Sequence, residues 1–415
     1  MKKINIGLFG FGVVGTGLYE VLQRTPGLNA TIQKICIKDP LKKRSIQKEL
    51  ITTDKYDLLF DENIKVIVEL IDDAEAAFEI VKIAMQQGKS VVSANKKMIA
   101  VHFKELQALQ KQFNVSFLYE ASCCASIPII RNLEEYYDTD LLNSITGIIN
   151  GSTNFILSDL FARTVSFRDA LLEAQQLGFA ESNPSLDIEG HDAANKLSIL
   201  TAHAFGTRIN PSDILYQGIT SISKNDIRRA KEKNQRIKLL AHTKRLKHNK
   251  LAVYVLPTFI NATNEFYHVD NEFNAIITES VFADKHFFKG KGAGSYPTAA
   301  AVLSDIAALR HGYKYEYKKQ GKQEPLLSYD YYLQVYVSAD ESSKINKQDF
   351  ETIDSYYSEK GGVQLTGLIH AEKLYTGSWW REMGVSLICQ HDYLQESIEY
   401  KSISERSLKL AGVGL

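Results

Sequence analysis

A glycine-rich turn near the start of the chain limits the folds open to it more than any other feature. The apolar run INIGLF is followed by GFGVVG and then by the helical pattern TGLYEVLQ. Strand, glycine turn and helix in this order are the context in which GxGxxG indicates a dinucleotide-binding βαβ unit. Gly10 permits the tight turn, Gly12 lets backbone approach a pyrophosphate, and Gly15 lets helix and strand pack closely. The alternative is a glycine turn without a ligand.

Strand and helix patterns keep alternating after this unit. Strands are predicted at TIQKICI, KVIVEL, KSVVSA and VSFLYEA, with helices at AEAAFEIVKIAMQQ and HFKELQALQKQF. Such alternation predicts an α/β fold with a parallel, doubly wound sheet of the Rossmann type. We assign this domain to residues 1–130, completed by a returning segment near 290–320.

The pattern changes in the rest of the chain. Residues 131–310 mix helical stretches, such as FRDALLEAQQLG, with strands such as LAVYVLPTFI, which predicts a mixed α+β domain. The charged break KKQGKQEP precedes a tail, for which we predict a small domain over residues 326–415. In it YYLQVYVSA and VQLTGLIHA read as strands, and KQDFETIDSYYSEKG reads as a helix.

Charge and composition exclude several classes of protein. Lys and Arg number 49, as do Asp and Glu, so the formal net charge is zero. A neutral chain has no net field to attract nucleic acid or an anionic membrane. No apolar run reaches the ~18 residues that span a bilayer. The four cysteines show no CxxC or zinc spacing, which favours a reducing compartment. We therefore expect a cytoplasmic protein without nucleic acid or membrane partners.

Acidic residues and one lysine gather in the segment FAESNPSLDIEGHDAANK. Asp192 and Lys196 are four residues apart and share one face of a helix. An exposed pair of this kind usually has no functional role. Here, however, the helix continues with apolar residues, which indicates that much of it is buried. A buried Asp–Lys pair is costly unless it is well partnered, so it suggests a site. His191 and His203 are better read as satisfied polar residues.

A second lysine follows the predicted strand KSVVSA. That strand ends at Ser93, so Lys96 lies at the carboxyl edge of the sheet, where parallel sheets bind ligands. Lys96 can reach a bound cofactor or substrate from there. The alternative is an exposed lysine at a helix start.

These pieces together resemble the homoserine dehydrogenases. The matching stretches are GFGVVG, SANKKMIA, YEAS, IPII, GIINGSTNFIL, LGFAESNPSLDIEGHDAANKLSIL and GKGAGSYPTAAAVLSD, in family order across about residues 4–310. The resemblance implies NAD(P)-dependent interconversion of L-aspartate 4-semialdehyde and L-homoserine, in threonine, methionine and isoleucine synthesis. It makes the second domain a catalytic and dimerisation domain.

The resemblance also implies roles for individual residues. Glu181 would bind the amino acid substrate, and Asp192 would organise its amino group or a water. Lys196 would be the catalytic proton donor, and Lys96 would lie beside nicotinamide and substrate. Glu120 would bind a structural Na⁺ or K⁺ through its side chain. The remaining implied contacts are cation-binding carbonyls at Cys123, Ala125 and Ile127, and cofactor contacts at Gly10, Gly12, Val13, Val14, Gly15, Lys38, Ser93, Lys96 and Gly294.

Two departures from the family pattern bear on these roles. Asp72 and Asp73 replace a usual glycine pair, and they either weaken cofactor binding or turn out to solvent. CCAS, from Cys123 to Ser126, replaces a run with several glycines. If that turn needs φ > 0 at Cys124 or Ala125, those residues strain it.

The sequence leaves three questions open: which coenzyme is used, how the chain assembles, and what the C-terminal tail does. Lys38 takes the place of an arginine that holds the 2′-phosphate of NADP, whereas Asp39 would favour NAD. The resemblance implies a homodimer or higher homo-oligomer, and a reduced C-terminal domain of the ACT type with an amino acid effector. Two other readings are a non-catalytic, amino-acid-sensing paralogue and a Rossmann oxidoreductase for another small amino acid aldehyde.

Overall fold

Six short apolar runs in the first third of the chain form one parallel sheet. Its strand order is β3-β2-β1-β4-β5-β6, the doubly wound order of dinucleotide-binding folds. Ile6, Leu8 and Val68 are fully buried, as expected for strands covered on both faces. The predicted Rossmann-type sheet is therefore confirmed. Numbered in chain order, its strands are β1 (Ile4–Phe9), β2 (Ala30–Cys36), β3 (Ile51–Thr52), β4 (Val66–Glu69), β5 (Ser90–Ser93) and β6 (Phe117–Leu118).

This architecture comes from a computed structural model that describes residues 3–44, 46–138, 141–163, 165–321, 323–359 and 362–397. The chain divides into two units. Unit 1 comprises Met1–Asp140, Asn195–Pro211 and Phe288–Gln320. Unit 2 comprises Leu141–Ala194, Ser212–Phe287 and Gly321–Leu415. No helix within the described ranges is long and apolar enough to cross a membrane.

The helices of unit 1 begin where polar side chains cap them. Asp73 accepts hydrogen bonds from two N–H groups at the start of α3, and Asn95 accepts one at the start of α4. Asn114, in the left-handed conformation, ends α4. The helices are α1 (Val13–Arg24), α2 (Tyr56–Leu59), α3 (Ala74–Gln86), α4 (Lys96–Phe113), α5 (Ile129–Arg131), which continues into a π-helical turn, and α11 (Ser295–Leu309).

Unit 2 is built on a mixed sheet of eleven strands. The main path runs β12-β11-β7-β9-β10-β17-β14-β16-β15, while β8 and β13 pair with β10. Its centre is the long hairpin β9–β10, which turns at His248 and Asn249, both with φ of 54°. The strands are β7 (Leu142–Ile148), β8 (Leu215–Tyr216), β9 (Gln235–Leu246), β10 (Lys250–Asn261), β11 (Phe273–Ser280), β12 (Lys285–Lys291), β13 (Leu326–Leu327), β14 (Tyr331–Ala339), β15 (Phe350–Glu359), β16 (Gly362–His370) and β17 (Val385–Glu396).

Among the described residues, five helices belong wholly to unit 2, and one is shared between the units. Capping boxes start two of them, with Ser166 and Asp169 at one and Ser223 and Asp226 at the other. The helices are α6 (Gly151–Arg163), α7 (Phe167–Gln176), α8 (Ser185–Ile188), α10 (Lys224–Glu232) and α12 (Ala371–Thr376). The shared helix, α9 (His191–Phe205), passes from unit 2 to unit 1 after Ala194.

The C-terminal strands share a sheet and a core with the rest of unit 2. β17 pairs with β10 at Thr258 and Phe259, and Trp380 and Leu387 pack in one cluster with Leu256. The four strands follow the order β17-β14-β16-β15, the antiparallel arrangement of a ferredoxin-like motif. Short 3₁₀ turns stand where the first helix of that motif would be. An ACT-like domain is not confirmed.

One sequence prediction in this region is wrong. The stretch KQDFETIDSYYSEKG was predicted as a helix, but its centre is the edge strand β15. Its Thr352, Ile353, Tyr356 and Tyr357 are β-branched or aromatic, and pairing with β16 satisfies their backbone. The strand propensity of these residues and the pairing with β16 therefore outweigh the charged residues, which on their own suggest a helix.

Candidate active site

The glycine turn of unit 1 has the shape that a pyrophosphate needs. Gly10 has φ of 89°, and a Cβ there would lie 2.5 Å from the carbonyl oxygen of Leu70. A Cβ on Gly15 would lie 2.5 Å from the carbonyl oxygen of Gly10. Around Gly12, in contrast, no atom lies within 4 Å of the added Cβ. Two glycines are thus required by packing, and the third leaves the head of α1 open to a ligand.

A second helix begins beside this turn. Gly294 precedes α11 with φ of 122°, a conformation that favours glycine. The next residue, Ser295, donates its hydroxyl proton to the carbonyl oxygen of Val13 at 2.8 Å. The structure therefore brings together Gly294 and the turn from Gly10 to Gly15, which the sequence placed at one cofactor site.

The loop after β2 carries exposed positive charge. Lys38 is exposed, as are Lys42 and Lys43. The carboxylate of Asp39 accepts the N–H of Leu41, and Arg44 donates to the Asp39 carbonyl oxygen at 2.7 Å. One oxygen of the Asp39 carboxylate is thus engaged within its own loop, and Asp39 is exposed like the lysines.

Ser93 and Lys96 occupy different environments at the ends of β5 and α4. Lys96 is the first residue of α4 and is partly exposed. Ser93 is fully buried, and its hydroxyl donates to the Glu69 carboxylate at 2.5 Å. A direct cofactor contact from the Ser93 side chain is therefore not supported by its surroundings. Glu69 is also fully buried, but the sequence does not mark it as a site residue, because a charged residue near the end of KVIVEL is typical of a strand terminus.

The two aspartates that replace the glycine pair lie at the surface. Asp72 and Asp73 are both exposed. One carboxylate oxygen of Asp73 accepts the N–H groups of Glu75 and Ala76, at 3.1 and 3.0 Å. Of the two alternatives, the structure favours side chains turned to solvent, with Asp73 acting as the cap of α3.

Glu120 lies at the centre of a buried charge cluster in unit 1. Its two carboxylate oxygens accept the N–H groups of Ile130 and Arg131, at 2.8 and 2.9 Å. Its own N–H donates to Asp305 at 2.8 Å, and the Arg131 guanidinium lies 3.7 Å from Glu120 and 3.6 Å from Asp305. Burial raises the pKa of Glu120 and of Asp305. Two carboxylates thus face one guanidinium.

The CCAS turn that follows Glu120 is strained, as the sequence had anticipated for positive φ. Cys124 has φ of 54° and Ala125 has φ of 42°. Both values lie in the left-handed region that side chains other than glycine adopt at a cost. The turn is closed by a hydrogen bond from Ile127 N–H to the Cys124 carbonyl oxygen, at 3.1 Å. A buried, over-determined loop of this kind is where backbone strain is retained.

Helix α9 carries the proposed catalytic pair. Asp192 is 2% exposed and Lys196 is 8% exposed, so the burial that the apolar pattern predicted is confirmed. The Cys123 thiol approaches the carbonyl oxygen of Lys196, with 3.9 Å between Sγ and oxygen. One helical turn separates the two charged residues on a single face.

Asn150 links two carboxylates in unit 2. Its side-chain amide donates to Asp192 at 2.8 Å and to Asp187 at 2.7 Å. Ser152 donates to the second oxygen of Asp187 at 3.1 Å. The NGSTN motif therefore orients an acidic pair. Asp187 was not among the residues predicted for the site, because its partner lies 37 residues away in the sequence.

Glu181 precedes this acidic pair and has an exposed side chain. Its carbonyl oxygen accepts the side-chain amide of Gln175 at 2.8 Å, which fixes the backbone of the segment. The structure brings Asp187 and Asp192 together around Asn150, and it leaves the carboxylate of Glu181 at the surface of unit 2.

His203, on α9, is a satisfied polar residue, as predicted. It is fully buried between Glu134, 2.6 Å from Nδ1, and the hydroxyl of Tyr119, 2.8 Å from Nε2. Burial alone would raise the pKa of Glu134, but the hydrogen bond and charge of His203 hold it below its usual value. Lys319 donates to the His203 carbonyl oxygen, and burial lowers the pKa of this lysine to about 8.

Comparisons with known proteins agree with this arrangement. Residues 128–307 match the family model for homoserine dehydrogenase, and residues 10–120 match that for its NAD binding domain. The homoserine dehydrogenase of Bacillus subtilis is 34% identical over 380 residues, covering 87% of this chain and 86% of that protein. The chain belongs to the homoserine dehydrogenase family. The enzyme of that name from Helicobacter pylori is 38% identical over 355 residues, covering 81% of this chain and 82% of its own.

Solved structures of homoserine dehydrogenases share the fold. That from Thiobacillus denitrificans has a TM-score of 0.81 at 30% identity, covering 94% of this chain and 99% of that chain. A hyperthermophilic archaeal homoserine dehydrogenase mutant in complex with NADPH has a TM-score of 0.65 at 27% identity, covering 76% of this chain and 100% of that chain. The protein is thus an NAD(P)-dependent oxidoreductase of amino acid biosynthesis.

Proposed function

We propose that the chain reduces L-aspartate 4-semialdehyde to L-homoserine with Lys196 as the proton donor. The observation that carries this proposal is helix α9, which holds Asp192 and Lys196 on one face, both nearly buried. When bound, NADPH supplies the hydride for the aldehyde carbon. The Lys196 ammonium gives a proton to the carbonyl oxygen, which would otherwise become an alkoxide.

The acidic residues of unit 2 would recognise the amino acid end of the substrate. Asp192 is oriented by Asn150, which also holds Asp187, so both carboxylates keep fixed directions. Glu181 has the charge to meet the substrate ammonium, a contact that discriminates against aldehydes without an amino group. We assign Glu181, Asp187 and Asp192 to substrate binding, and Lys96 to the nicotinamide end of the site.

For the coenzyme, we propose NADP(H) in preference to NAD(H). Three exposed lysines, Lys38, Lys42 and Lys43, surround one exposed carboxylate, Asp39, so the loop offers more positive than negative charge to a 2′-phosphate. One oxygen of Asp39 also accepts the N–H of Leu41. Gly10, Gly12, Val13, Val14, Gly15 and Gly294 form the remaining cofactor contacts of this proposal.

We also propose a monovalent cation beside Glu120. The chemistry fits in part, because two buried carboxylates face one guanidinium, and a cation beside them would favour the ionised form of both. Each Glu120 carboxylate oxygen and the Ile127 carbonyl oxygen already accept one N–H, and each keeps a second lone pair for the cation beside the carbonyls of Cys123 and Ala125. Thermal unfolding in Na⁺ or K⁺ against a bulky organic cation tests this. Equal melting temperatures would remove the cation.

We also propose that the chain forms a homo-oligomer and that an amino acid effector binds to its C-terminal strands. Leu141, Val281 and Phe282 are exposed apolar residues at the edge of the unit 2 sheet, which supports a homodimer or higher homo-oligomer. The ferredoxin-like strand order supports an amino acid effector at the C-terminal strands. Light scattering would measure the oligomer. Turnover with and without added threonine would test the effector, and an unchanged rate would remove it.

Turnover is the decisive experiment. Oxidation of NADPH and of NADH would be followed with aspartate 4-semialdehyde, for the wild type, Lys196→Ala and Lys38→Ala. We expect Lys196→Ala to lower kcat ~10²–10⁴-fold with little change in coenzyme affinity. Lys38→Ala should weaken NADPH more than NADH. Absence of turnover with either coenzyme, in Na⁺ and K⁺, would instead support the sensing paralogue.

A further inference from the structure

Four residues at the carboxyl edge of the parallel sheet form a closed ring of hydrogen bonds. Glu69 accepts the Ser93 hydroxyl at 2.5 Å, and the Ser93 oxygen accepts the N–H of Asn95 at 3.1 Å. The Asn95 amide donates to the carbonyl oxygen of Ile71 at 3.0 Å, and Ile71 N–H donates back to Glu69 at 2.7 Å. One buried carboxylate thus ties together the loops that follow β4 and β5.

The ring lies between the two parts of the cofactor site in unit 1. On one side, the residue after Glu69 contacts the start of the glycine turn: Leu70 N–H donates to the Phe9 carbonyl oxygen at 2.9 Å, and the Leu70 carbonyl oxygen lies against Gly10. On the other side, the Asn95 side chain accepts the N–H of Met98 and so caps α4, whose first residue is Lys96. Movement of the ring would therefore displace Lys96 and the turn together.

We propose that Glu69 is a positioning residue, whose ionised carboxylate holds Ser93 and Asn95 so that Lys96 is placed for coenzyme binding. The proposal rests on the role for Lys96 proposed above. No substrate or coenzyme atom has to touch Glu69, because it acts through the ring.

The ring depends on the charge of Glu69 for a simple reason. An ionised carboxylate accepts two hydrogen bonds and donates none, which is what Ser93 and Ile71 require. A proton on the oxygen that faces Ser93 would compete with the Ser93 hydroxyl for the same contact. Both side chains are fully buried, so water cannot accept the displaced proton. Protonation therefore removes the acceptor of the Ser93 hydroxyl and weakens the ring.

The environment places this change near neutral pH. Burial raises the pKa of Glu69 to about 7, although the hydrogen bonds from Ser93 and Ile71 act in the opposite direction and lower it. The charged group that acts on Glu69 is Asp72, whose like charge raises the pKa further. Asp72 is one of the residues that replace the glycine pair, so this chain's own departure adjusts the ring.

The test is the dissociation constant of NADPH for the full chain, measured by fluorescence from about pH 5.5 to about pH 9. Affinity should rise about three- to tenfold as Glu69 ionises, the value of one hydrogen bond. Glu69→Gln should flatten the profile. Ser93→Ala removes the link between Glu69 and Asn95 and should flatten the profile as well, whereas Asp72→Asn keeps the ring and should move the midpoint down.

Matched variants and a second coenzyme isolate the cause. Ser93→Thr keeps the hydroxyl and should keep the midpoint, and the exposed Glu79→Gln should leave the profile unchanged. NADH lacks the titrating 2′-phosphate, so a shift caused by Glu69 should occur with both coenzymes. Thermal unfolding of each variant shows whether it is folded. If Glu69→Gln does not fold, the flat profile of Ser93→Ala and the lowered midpoint of Asp72→Asn still test the proposal.

Two failures would be distinguishable. If Lys96→Ala leaves coenzyme affinity unchanged, the proposed role of Lys96 is lost. If Lys96→Ala weakens binding but Ser93→Ala and Asp72→Asn both keep the wild-type profile, the role of Glu69 is overturned and that of Lys96 stands.

Discussion

Two loops of unit 1 carry other residues where the family resemblance leads one to expect glycines, and the two loops differ in backbone conformation. Asp73 precedes α3 with φ of −73°, and its carboxylate caps that helix. Cys124 and Ala125 have φ of 54° and 42° in a buried loop. Loss of a glycine is therefore harmless at the first loop and strains the second. The sign of φ, rather than the identity of the lost residue, decides the cost.

The loops also differ in how they treat buried charge. Beside the first, Glu69 is satisfied by one side chain and one backbone N–H within a closed ring. Beside the second, Glu120 and Asp305 share the guanidinium of Arg131 at 3.7 and 3.6 Å. The second loop thus depends on its carboxylates to hold a strained backbone in place.

The largest effect should come from Glu120→Ala. It removes the acceptor for two buried N–H groups and one of the two carboxylates that face Arg131, which we expect to cost ~3–5 kcal/mol in denaturant unfolding. Glu79→Ala, which removes only a surface ion pair with Lys55, should cost under ~1 kcal/mol. Similar losses in the two variants would mean that the Glu120 cluster does not support its loop.

The stability effect of Glu69 should depend on pH. Its pKa is raised from 4.5 to about 7, so the folded chain binds more protons than the unfolded one between these values. Stability should therefore fall as pH rises through this window, by ~3 kcal/mol at most. Unfolding free energies of Glu69→Gln should lack this contribution. A variant that keeps the wild-type slope would contradict the raised pKa.

Much of the fold follows from the sequence where local pattern and final environment agree. The sequence pattern of apolar run, glycine turn and helix predicts β1 and α1 correctly. It does so because a strand buried on both faces is apolar throughout, and because the tight turn requires glycine. β15 was missed because an exposed edge strand has no apolar alternation to reveal it. The site follows the same rule. Glu69 and Asp187 gain their roles from partners 24 and 37 residues away, which no local pattern shows.

Glycine at the strained positions should stabilise the chain. Ala125→Gly should gain up to about 1 kcal/mol, the relief of left-handed strain less the entropy that glycine loses on folding. Cys124→Gly should gain less, because it also removes a buried thiol. Chemical denaturation at fixed salt measures this. Destabilisation by both substitutions would show that the side chains contribute more packing than the backbone loses to strain.

The smallest effects belong to the first loop. Asp73→Ala should lower the free energy of unfolding by ~1 kcal/mol, because the helix cap is lost, and Asp73→Gly should lower it by only about a few tenths of a kcal/mol. Asp72→Gly should change it by less than ~0.5 kcal/mol. Unfolding curves for the three variants, measured side by side, give the ranking. A cost at Asp72 as large as that of Asp73→Ala would contradict the solvent-facing placement.

The most direct measurement compares two double variants in one denaturation experiment. Cys124→Gly/Ala125→Gly restores glycine in the strained loop, and Asp72→Gly/Asp73→Gly restores it in the loop beside Glu69. We predict a higher free energy of unfolding for the first and a slightly lower one for the second. The same sign in both would contradict the central claim, that positive φ alone makes a lost glycine costly in this chain.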